Sequence, residues 1–260
     1  MELGLKGKVA LVTGSSRGIG RSAALALAAE GCDVMLTGRD QKALEEVAGK
    51  IRATGRRAAI SVLDLREPGA AEKLIEQVKR ELGGLDILVN NAGATKRGDF
   101  LALTDDDWTD GYALKMFGHV RLARAAWPLL KERRGSLIAI GGTGGRKPTA
   151  QFTIGSSVNA AVAAFTKCLA DRGKADGVQV NCIHPSVVFT DRTQRRIKAE
   201  VERTGKSENE VREEIFREFN TIRFGTVEDV GNLVTFIVSS RASWLQGATI
   251  DLDGGEIPTI

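Results

Sequence analysis

The strongest constraint on the fold of this chain is a regular alternation of short apolar strands with helix-like segments. The first strand, 9–13, ends at a glycine loop, and small and apolar residues then repeat at helical spacing from Gly18 to Glu30. Further strands are predicted at 33–37, 58–63, 85–89, 136–140 and 178–183. Helices are predicted between them at 41–53, 68–82, 105–133 and 156–172. This alternation predicts one doubly wound α/β domain over residues 1–260, with helices on both faces of a parallel sheet.

Two stretches depart from this rhythm. Residues 191–223 are dense in charges of both signs, with an apolar stripe that includes Val211, Ile215 and Phe219. That spacing predicts an amphipathic helix on the body of the domain. Its position after the sixth strand favours a lid over a substrate pocket, with a plain surface excursion as the alternative. The tail, 247–255, is predicted to add one more strand and a glycine turn.

The composition excludes several classes of function. Of the 260 residues, 42% are hydrophobic and 27% are charged, as in globular proteins and unlike disordered chains. The 37 basic residues nearly balance the 33 acidic ones and form no basic stripe, so nucleic acid is not an expected partner. No apolar run approaches the roughly 18 residues that span a bilayer, and no signal peptide is visible. We therefore expect a soluble, cytoplasmic protein without a membrane partner.

The cysteines and histidines do not suggest a metal site. Cys32, Cys168 and Cys182 lie in apolar surroundings at unrelated spacings, which predicts buried, reduced thiols. The two histidines, His119 and His184, are isolated in the sequence. His184 precedes a proline at a strand end, so hydrogen-bonded packing is expected there. No paired carboxylates accompany either histidine, and no metal is expected.

Polar and glycine-rich segments cluster where predicted strands end. They follow the first, fourth, fifth and sixth strands at 14–20, 90–93, 141–145 and 184–188. In open parallel sheets, ligands bind outside the carboxyl ends of the strands, where the strand order reverses. We therefore expect a small-molecule site at this edge of the sheet.

The first loop, Gly14-Ser-Ser-Arg-Gly-Ile-Gly20, predicts a pyrophosphate site. Gly14 allows the turn out of the strand, while Gly18 and Gly20 allow a ligand and the strand to approach the helix without an intervening Cβ. The free N–H groups and the positive dipole end of that helix favour an anion. The spacing differs from the commoner dinucleotide fingerprint, so the strand–loop–helix context carries the prediction.

Several motifs together resemble the short-chain dehydrogenase/reductase family. The two signatures are Thr13-Gly-Ser-Ser-Arg-Gly-Ile-Gly20 and Asn90-Asn-Ala-Gly93. Matches at Asp64-Leu65, Arg223-Phe-Gly225 with Glu228-Asp-Val230, and Asp253-Gly-Gly255 extend the resemblance over almost the whole chain. The resemblance implies a Rossmann-type domain with a seven-stranded, mostly parallel sheet, a nicotinamide cofactor, and a homo-oligomer, either a tetramer or a dimer.

The resemblance also implies which residues bind the cofactor. Asp64 and Leu65 would contact the adenine, 91–93 the ribose, and Val188 with Thr190 the nicotinamide end. The full implied set is Gly14, Ser16, Arg17, Gly18, Ile19, Gly20, Arg39, Asp64, Leu65, Asn91, Ala92, Gly93, Asn159, Val188 and Thr190.

The charge pattern favours NADP(H) over NAD(H). An NAD-selective site places a carboxylate at the end of the second strand, where it binds the ribose 2′-hydroxyl. Here that place reads Thr37-Gly-Arg39, and Arg17 lies in the first loop. Two guanidinium groups near one 2′-phosphate would form charge-assisted hydrogen bonds, although both arginines are also compatible with a solvated surface.

The residues that usually catalyse the family's reaction are absent from their expected positions. Members carry a tyrosine four residues before a lysine, a serine thirteen residues before that tyrosine, and an asparagine on the fourth helix. Registering 165–170 on the fifth helix puts Gly142 at the serine, Gly155 at the tyrosine and Asn159 at the lysine. Lys115 stands at the asparagine, and the one tyrosine of the chain is Tyr112.

Nearby groups offer substitutes for the missing residues. Burial of Lys115 would lower the pKa of its ammonium toward the range needed for proton transfer. Thr143 is placed to hydrogen-bond a carbonyl, and Asn159 to bind a ribose hydroxyl. A structural role is the alternative for Lys115 and Thr143, and core packing is the favoured role for Tyr112.

Three functions follow from this pattern. The first is an atypical NADP(H)-dependent oxidoreductase that acts on a small carbonyl or alcohol by a non-standard proton donor. The second is a catalytically silent NADP(H)-binding sensor or partner subunit. The third is a non-redox lyase or isomerase, which the intact nucleotide loop disfavours.

Overall fold

A single parallel sheet forms the centre of the molecule in a computed structural model, which describes residues 2–258. Its strands are β1 (Val9–Thr13), β2 (Asp33–Gly38), β3 (Ala58–Val62), β4 (Ile87–Asn90), β5 (Ser136–Ile140), β6 (Gln179–Pro185) and β7 (Thr249–Leu252). Their spatial order is β3-β2-β1-β4-β5-β6-β7, and each neighbouring pair is parallel. The strand order reverses between β1 and β4, so the topological switch point lies there.

Helices cover both faces of this sheet, which confirms the predicted doubly wound fold. They are α1 (Gly18–Ala29), α2 (Gln41–Arg52), α3 (Ala70–Leu82), α4 (Asp105–Gly111), α5 (Gly118–Arg133), α6 (Thr153–Asp176), α7 (Asp191–Thr204), α8 (Glu208–Phe219) and α9 (Val227–Ile237). Alternate residues of β1 face opposite layers: Val12 packs with Leu27 of α1, and Leu11 packs with Leu122 of α5. Burial on both faces explains why the strands are apolar throughout rather than alternating.

The predicted helix over 105–133 is interrupted. Residues Tyr112–Phe117 form a π-helical turn between α4 and α5. The hydrogen bonds of a π-helical turn run from residue i to residue i+5, one residue further than in an α-helix. The helices before and after this turn keep their α-helical period, so the spacing of apolar residues does not reveal it. This turn carries Lys115.

The 191–223 segment forms two helices instead of one. After α7 the chain turns at Gly205, whose φ is 71°, and α8 begins at a capping box between Ser207 and Glu210. Both helices bury apolar residues in one cluster with the chain after β6, including Ile197, Val211 and Ile215. The predicted apolar stripe lies on α8, and the sequence analysis did not predict the cap at Ser207 that begins this second helix.

Sequence reasoning also missed α9 and misplaced one cysteine. The helix α9 begins at a capping box between Thr226 and Asp229 and packs against α1. The prediction of three buried thiols was wrong for Cys168, which is exposed, whereas Cys32 and Cys182 are buried. Cys168 lies on the outward side of α6. Small and apolar residues are its neighbours in the sequence, but they do not cover its side chain in the fold.

Neither a membrane-spanning helix nor a cluster of metal-binding side chains is found within residues 2–258. No helix there has the length and apolar character needed to cross a bilayer. No three histidine, cysteine or acidic side chains in that range lie close enough together to hold a metal ion.

Asp33, at the start of β2, ties this strand to the turn before β3. Its carboxylate accepts hydrogen bonds from the guanidinium groups of Arg56 at 2.5 Å and Arg57 at 2.7 Å, and from the Arg57 backbone N–H at 3.0 Å. Burial of Asp33 would by itself raise its pKa, but these bonds outweigh it and hold the pKa below the ordinary 3.8. The stabilisation is therefore fully present above pH 3.8 and is lost as the pH falls through the lowered value.

We predict that Asp33→Asn lowers the free energy of unfolding by about 2 kcal/mol at pH 7, because charge-assisted hydrogen bonds to a buried carboxylate are lost. Urea unfolding followed by circular dichroism measures this change. The matched control is Asp171→Asn, which removes an exposed carboxylate paired with Lys174 and should leave the free energy of unfolding nearly unchanged. Equal losses in the two variants would contradict the assigned role of Asp33.

Candidate functional site

A groove of about 810 Å³ lies at the switch point between β1 and β4. Most of the predicted cofactor residues line it: Gly14, Ser16, Arg17, Gly18, Ile19, Arg39, Asp64, Leu65, Asn91, Ala92, Gly93 and Thr190. The remaining three lie behind the surface of the groove. Gly20 packs against the first loop, Val188 is buried beside Gly225, and Asn159 is buried beneath Lys115.

Two glycines of the first loop are required by their geometry. Gly14 has a φ of 64°, a left-handed conformation that L side chains rarely adopt. At Gly20, a Cβ would lie 2.3 Å from the Gly14 carbonyl oxygen and 2.5 Å from Asn91 Nδ2. The loop can therefore fold this tightly against β1 and β4 only with glycine at both positions.

The N-terminus of α1 faces the groove, and no side chain of its own first turn caps its N–H groups or neutralises its dipole. Its N-cap residue, Arg17, makes no side-chain cap, and the first turn contains no acidic residue. By contrast, α4, α8 and α9 each begin with a capping box and acidic residues. The unpaired N–H groups and the helix dipole at α1 therefore favour an anion such as a pyrophosphate.

Hydrogen bonds between the β1 and β4 ends set the floor of the groove. Thr13 Oγ1 accepts from the backbone N–H groups of Asn91 and Ala92, both at 2.8 Å. The Asn91 side-chain amide donates to the Thr13 carbonyl at 2.8 Å. These bonds join the two signature motifs directly, so each positions the other.

The end of β2 presents a guanidinium and no free carboxylate. Arg39 lines the groove and is largely exposed, with a 3.5 Å ion pair to Asp64. Asp40 follows it, but its carboxylate caps α2 by accepting from the Ala43 N–H at 3.1 Å. Burial would raise the pKa of Asp64, but hydrogen bonds and charge from Arg66, with the charge of Arg39, hold it below 3.8.

Lys115 projects from the π-helical turn to the inner end of the groove. Its ammonium donates hydrogen bonds to Asn159 Oδ1 at 2.6 Å and to the Gly141 carbonyl at 2.9 Å. A Cβ at Gly93 would lie 2.8 Å from Lys115 Cδ, so only glycine leaves room for this side chain. Burial of the ammonium, reinforced by the positive charge of Arg192, lowers the pKa of Lys115 from 10.5 to about 8.

The two glycines near Lys115 are enclosed by side chains. A Cβ at Gly142 would lie 2.8 Å from Asn159 Nδ2, and a Cβ at Gly155 would lie 2.0 Å from Phe152 Cζ. The Phe152 ring therefore fills the space that a side chain at position 155 would enter. Thr143 is buried next to this region and does not line the groove.

Tyr112 packs as a core residue, as expected. It is partly buried, its ring lies 6.4 Å from that of Trp108 in a stacked arrangement, and it packs against a cluster that contains Ile154 and Val158. These contacts turn it toward α6 and away from the groove, whose lining residues do not include it.

His184 is buried, but the hydrogen bonds expected for it are absent. Within residues 2–258 neither ring nitrogen has a hydrogen-bond partner, and Nδ1 lies 3.7 Å from Asp251 Oδ1. Burial, with the charges of Lys115 and Arg146, lowers its pKa to about 4. His119 is also buried, and burial with the charge of Lys115 lowers its pKa to about 3. Both imidazoles are neutral at pH 7.

Arg192 and Arg195 are the main groove residues that sequence reasoning did not identify. They come from the first turns of α7, and the Arg192 guanidinium donates to the Gly93 carbonyl oxygen at 3.0 Å. The available signal was the basic run at the start of the 191–223 segment, next to the expected contact Thr190. Five arginines thus line the groove: Arg17, Arg39, Arg66, Arg192 and Arg195.

Residues 8–201 match the family model described as short chain dehydrogenase. The chain belongs to the short-chain dehydrogenase family. Among curated members, it is 32% identical over 257 residues to the 3-oxoacyl-[acyl-carrier-protein] reductase of Escherichia coli K12, covering 97% of this chain and 98% of that protein.

Solved structures of this short-chain dehydrogenase family share the fold closely. The L-sorbose reductase of Gluconobacter frateurii, complexed with NADPH and L-sorbose, superimposes with a TM-score of 0.96 at 31% identity, with both chains fully covered. A short chain dehydrogenase from Burkholderia cenocepacia J2315, in complex with NADP, has a TM-score of 0.83 at 31% identity, covering 97% of this chain and 98% of that one.

We predict that one lysine of the purified protein titrates near pH 8, because burial and Arg192 destabilise the Lys115 ammonium. Lysine Cε chemical shifts in ¹³C-labelled protein, followed from pH 6 to 11, measure this, and Lys115→Met identifies the signal. Arg192→Gln should raise the pKa, since it removes a neighbouring positive charge. A Lys115 signal that titrates near 10.5 would contradict the described environment.

Proposed function

We propose that this protein is an NADP(H)-dependent oxidoreductase that reduces a small carbonyl compound, or oxidises the matching alcohol, with Lys115 as the proton-transfer group. The observation that carries the proposal is the ammonium of Lys115, which lies in the groove beside the glycine loop and has a pKa of about 8. A general acid works best when its pKa lies near the operating pH. When bound, the nicotinamide supplies or accepts the hydride.

In this proposal, other residues occupy the four positions of the family's usual catalytic residues. Lys115 stands where the family has an asparagine, and Asn159 stands where it has a lysine. Lysine and amide have thus exchanged places across a 2.6 Å hydrogen bond. Gly142 and Gly155 leave no hydroxyl at the serine and tyrosine positions, so Lys115 itself takes over the proton that a tyrosine would carry.

Asn159 and Gly141 orient the lysine for this step. Two of the three ammonium N–H groups point at the Asn159 amide oxygen and the Gly141 carbonyl. The third is free to donate to a substrate oxygen, since an ammonium has three donors. As the carbonyl carbon is reduced, Lys115 gives this proton to the oxygen, and in the reverse direction the neutral amine removes it. Thr143 assists in this proposal only if its loop moves, since its side chain is buried.

The fit of the residues to NADP(H) rests on the glycines of the first loop and on the arginines that line the groove. The uncapped N-terminus of α1 suits the pyrophosphate, and Arg17 with Arg39 suits a 2′-phosphate. Asn159 and Val188 would complete the nicotinamide side of the site from behind the groove. Complexes of two relatives with NADPH or NADP support this choice of cofactor.

The two helices of the 191–223 segment act as a lid in this proposal. Arg192 already spans the groove between α7 and the Gly93 carbonyl, so entry of the cofactor requires this contact to open or shift. We also propose that the protein forms a homo-oligomer, as the family resemblance implies.

We predict that Lys115→Met abolishes turnover, with a loss of at least about a hundredfold, because the proton donor is removed. NADPH binding, followed by the change in nucleotide fluorescence, should persist. Turnover is measured as NADPH oxidation against a panel of aldehydes and ketones. The matched control is Lys131→Met, an exposed lysine of α5 that pairs with Asp176. Undiminished turnover by Lys115→Met would remove Lys115 from the reaction, and NADPH binding without any turnover by the natural protein would favour a sensor.

We predict that Arg17→Ala and Arg39→Ala each raise the Kd for NADPH about tenfold, because each removes a charge-assisted hydrogen bond to the 2′-phosphate. Fluorescence titration with NADPH and NADH measures both constants, and the Kd for NADH should stay unchanged. Arg80→Ala, which removes an exposed arginine of α3, is the control. Equal effects on the two nucleotides would show that these arginines do not read the 2′-phosphate.

A further inference from the structure

Arg97 lies outside the cofactor groove, on the chain between β4 and α4. Its guanidinium carbon lies 3.8 Å from the centroid of the Phe152 ring. The Gly98 N–H donates to the Gln151 carbonyl at 3.2 Å, which fixes this part of the loop beside the turn that carries Phe152. The lining residues of the groove do not include Arg97, so cofactor phosphates do not account for it.

The Phe152 ring connects this guanidinium to the helix α6, which also carries Asn159, the hydrogen-bond partner of Lys115. The ring occupies the space beside Gly155 and also lies 2.9 Å from where a Cβ on Gly144 would be. It therefore fills the gap between the chain after β5 and the first turn of α6. A guanidinium stacked on a ring face keeps its N–H edges free, and those edges match the two oxygens of a carboxylate.

No carboxylate neutralises Arg97 in the described part of the chain. The carboxylate whose charge acts on Arg97 is that of Glu218, which already forms a 2.9 Å ion pair with Arg196. Arg97 is an exposed residue whose guanidinium is covered on one face by the Phe152 ring; this partial burial, followed by the positive charges of Arg196 and Arg192, lowers the pKa of Arg97, although a guanidinium stays charged near neutral pH.

Within residues 2–258, Arg192 is a second arginine without a carboxylate partner, and it lies beside the proposed proton donor. Arg192 and Lys115 both contact Gly93, and the charge of Arg192 also acts on Arg97. Arg192 makes its polar contact with a carbonyl oxygen and not with a carboxylate. Positive charges without carboxylate partners attract ligands of the opposite charge.

We propose that the substrate is an anion, and that its carboxylate, sulfonate or phosphate binds the outer edge of Arg97 while its carbonyl or alcohol group lies at Lys115. This inference rests on the proposed function, because it assigns a substrate class to the same site. Phe152 is then a positioning residue, since its ring packs against one face of the guanidinium and leaves the N–H edge free to bind the anion.

The test measures equilibrium binding of unreactive probes by calorimetry, with and without saturating NADP⁺. The anionic probes are benzoate, benzenesulfonate and phenyl phosphate, and benzamide is the neutral probe. We expect at least one anion to bind ten times more tightly than benzamide. Arg97→Gln should weaken the binding of that anion at least tenfold and leave the affinity for benzamide unchanged. Arg97→Lys keeps the charge but not the planar guanidinium, so its affinity for the anion should lie between those of the natural protein and Arg97→Gln.

The matched control is Arg217→Gln, which removes an exposed arginine of α8 bonded to its own helix. It should leave all probe affinities unchanged. Equal affinity for the anions and benzamide, or an anion preference that survives in Arg97→Gln, would overturn the inference.

The binding readout keeps this inference separate from the proposed activity. An Arg97-dependent anion preference without turnover of any carbonyl would support the anion site and contradict the oxidoreductase. Turnover of neutral carbonyls together with no anion preference would support the oxidoreductase and contradict the anion site.

Discussion

The hydrogen bonds between the ends of β1 and β4 are the constraint on which the rest of the site depends. Through Thr13 and Asn91 they hold two loops from different parts of the chain at a fixed separation. The first loop must then fold so closely against β4 that no side chain fits at Gly20. The groove, the open N-terminus of α1 and the place of Lys115 over Gly93 all follow from that spacing.

In the proposed function, Lys115 takes the place of the family's usual proton donor. An ammonium in a half-buried site needs acceptors and room. Asn159 and the Gly141 carbonyl provide the acceptors, and Gly93 provides the room. The same burial that would destabilise a charged lysine brings its pKa close to neutral pH, which is the property that proton transfer requires.

Much of this architecture was predictable from the sequence, because it rests on local patterns. The strands were found within two residues of their ends, since apolar runs bounded by glycine loops are strong local signals. Most of the groove residues were found because their motifs follow those strands. The capping box at Thr226 was also readable in the sequence, so the omission of α9 was avoidable.

The remaining features depend on contacts between distant residues. The π-helical turn that aims Lys115 inward, the crossing of Arg192 to Gly93 and the stacking of Arg97 on Phe152 have no local signature. Each arises only when α6, α7 and the loop after β4 are packed together. The arginine stacked on Phe152 therefore could not be placed from its position in the sequence.

The most direct test of Lys115 as proton donor is the pH dependence of the hydride-transfer step, measured as the single-turnover rate of NADPH oxidation with a carbonyl substrate from pH 6 to 10. The protonated lysine is the active form for reduction, so the rate should be constant below a pH of about 8 and fall roughly tenfold per pH unit above it. A rate that is independent of pH across this range would contradict the account.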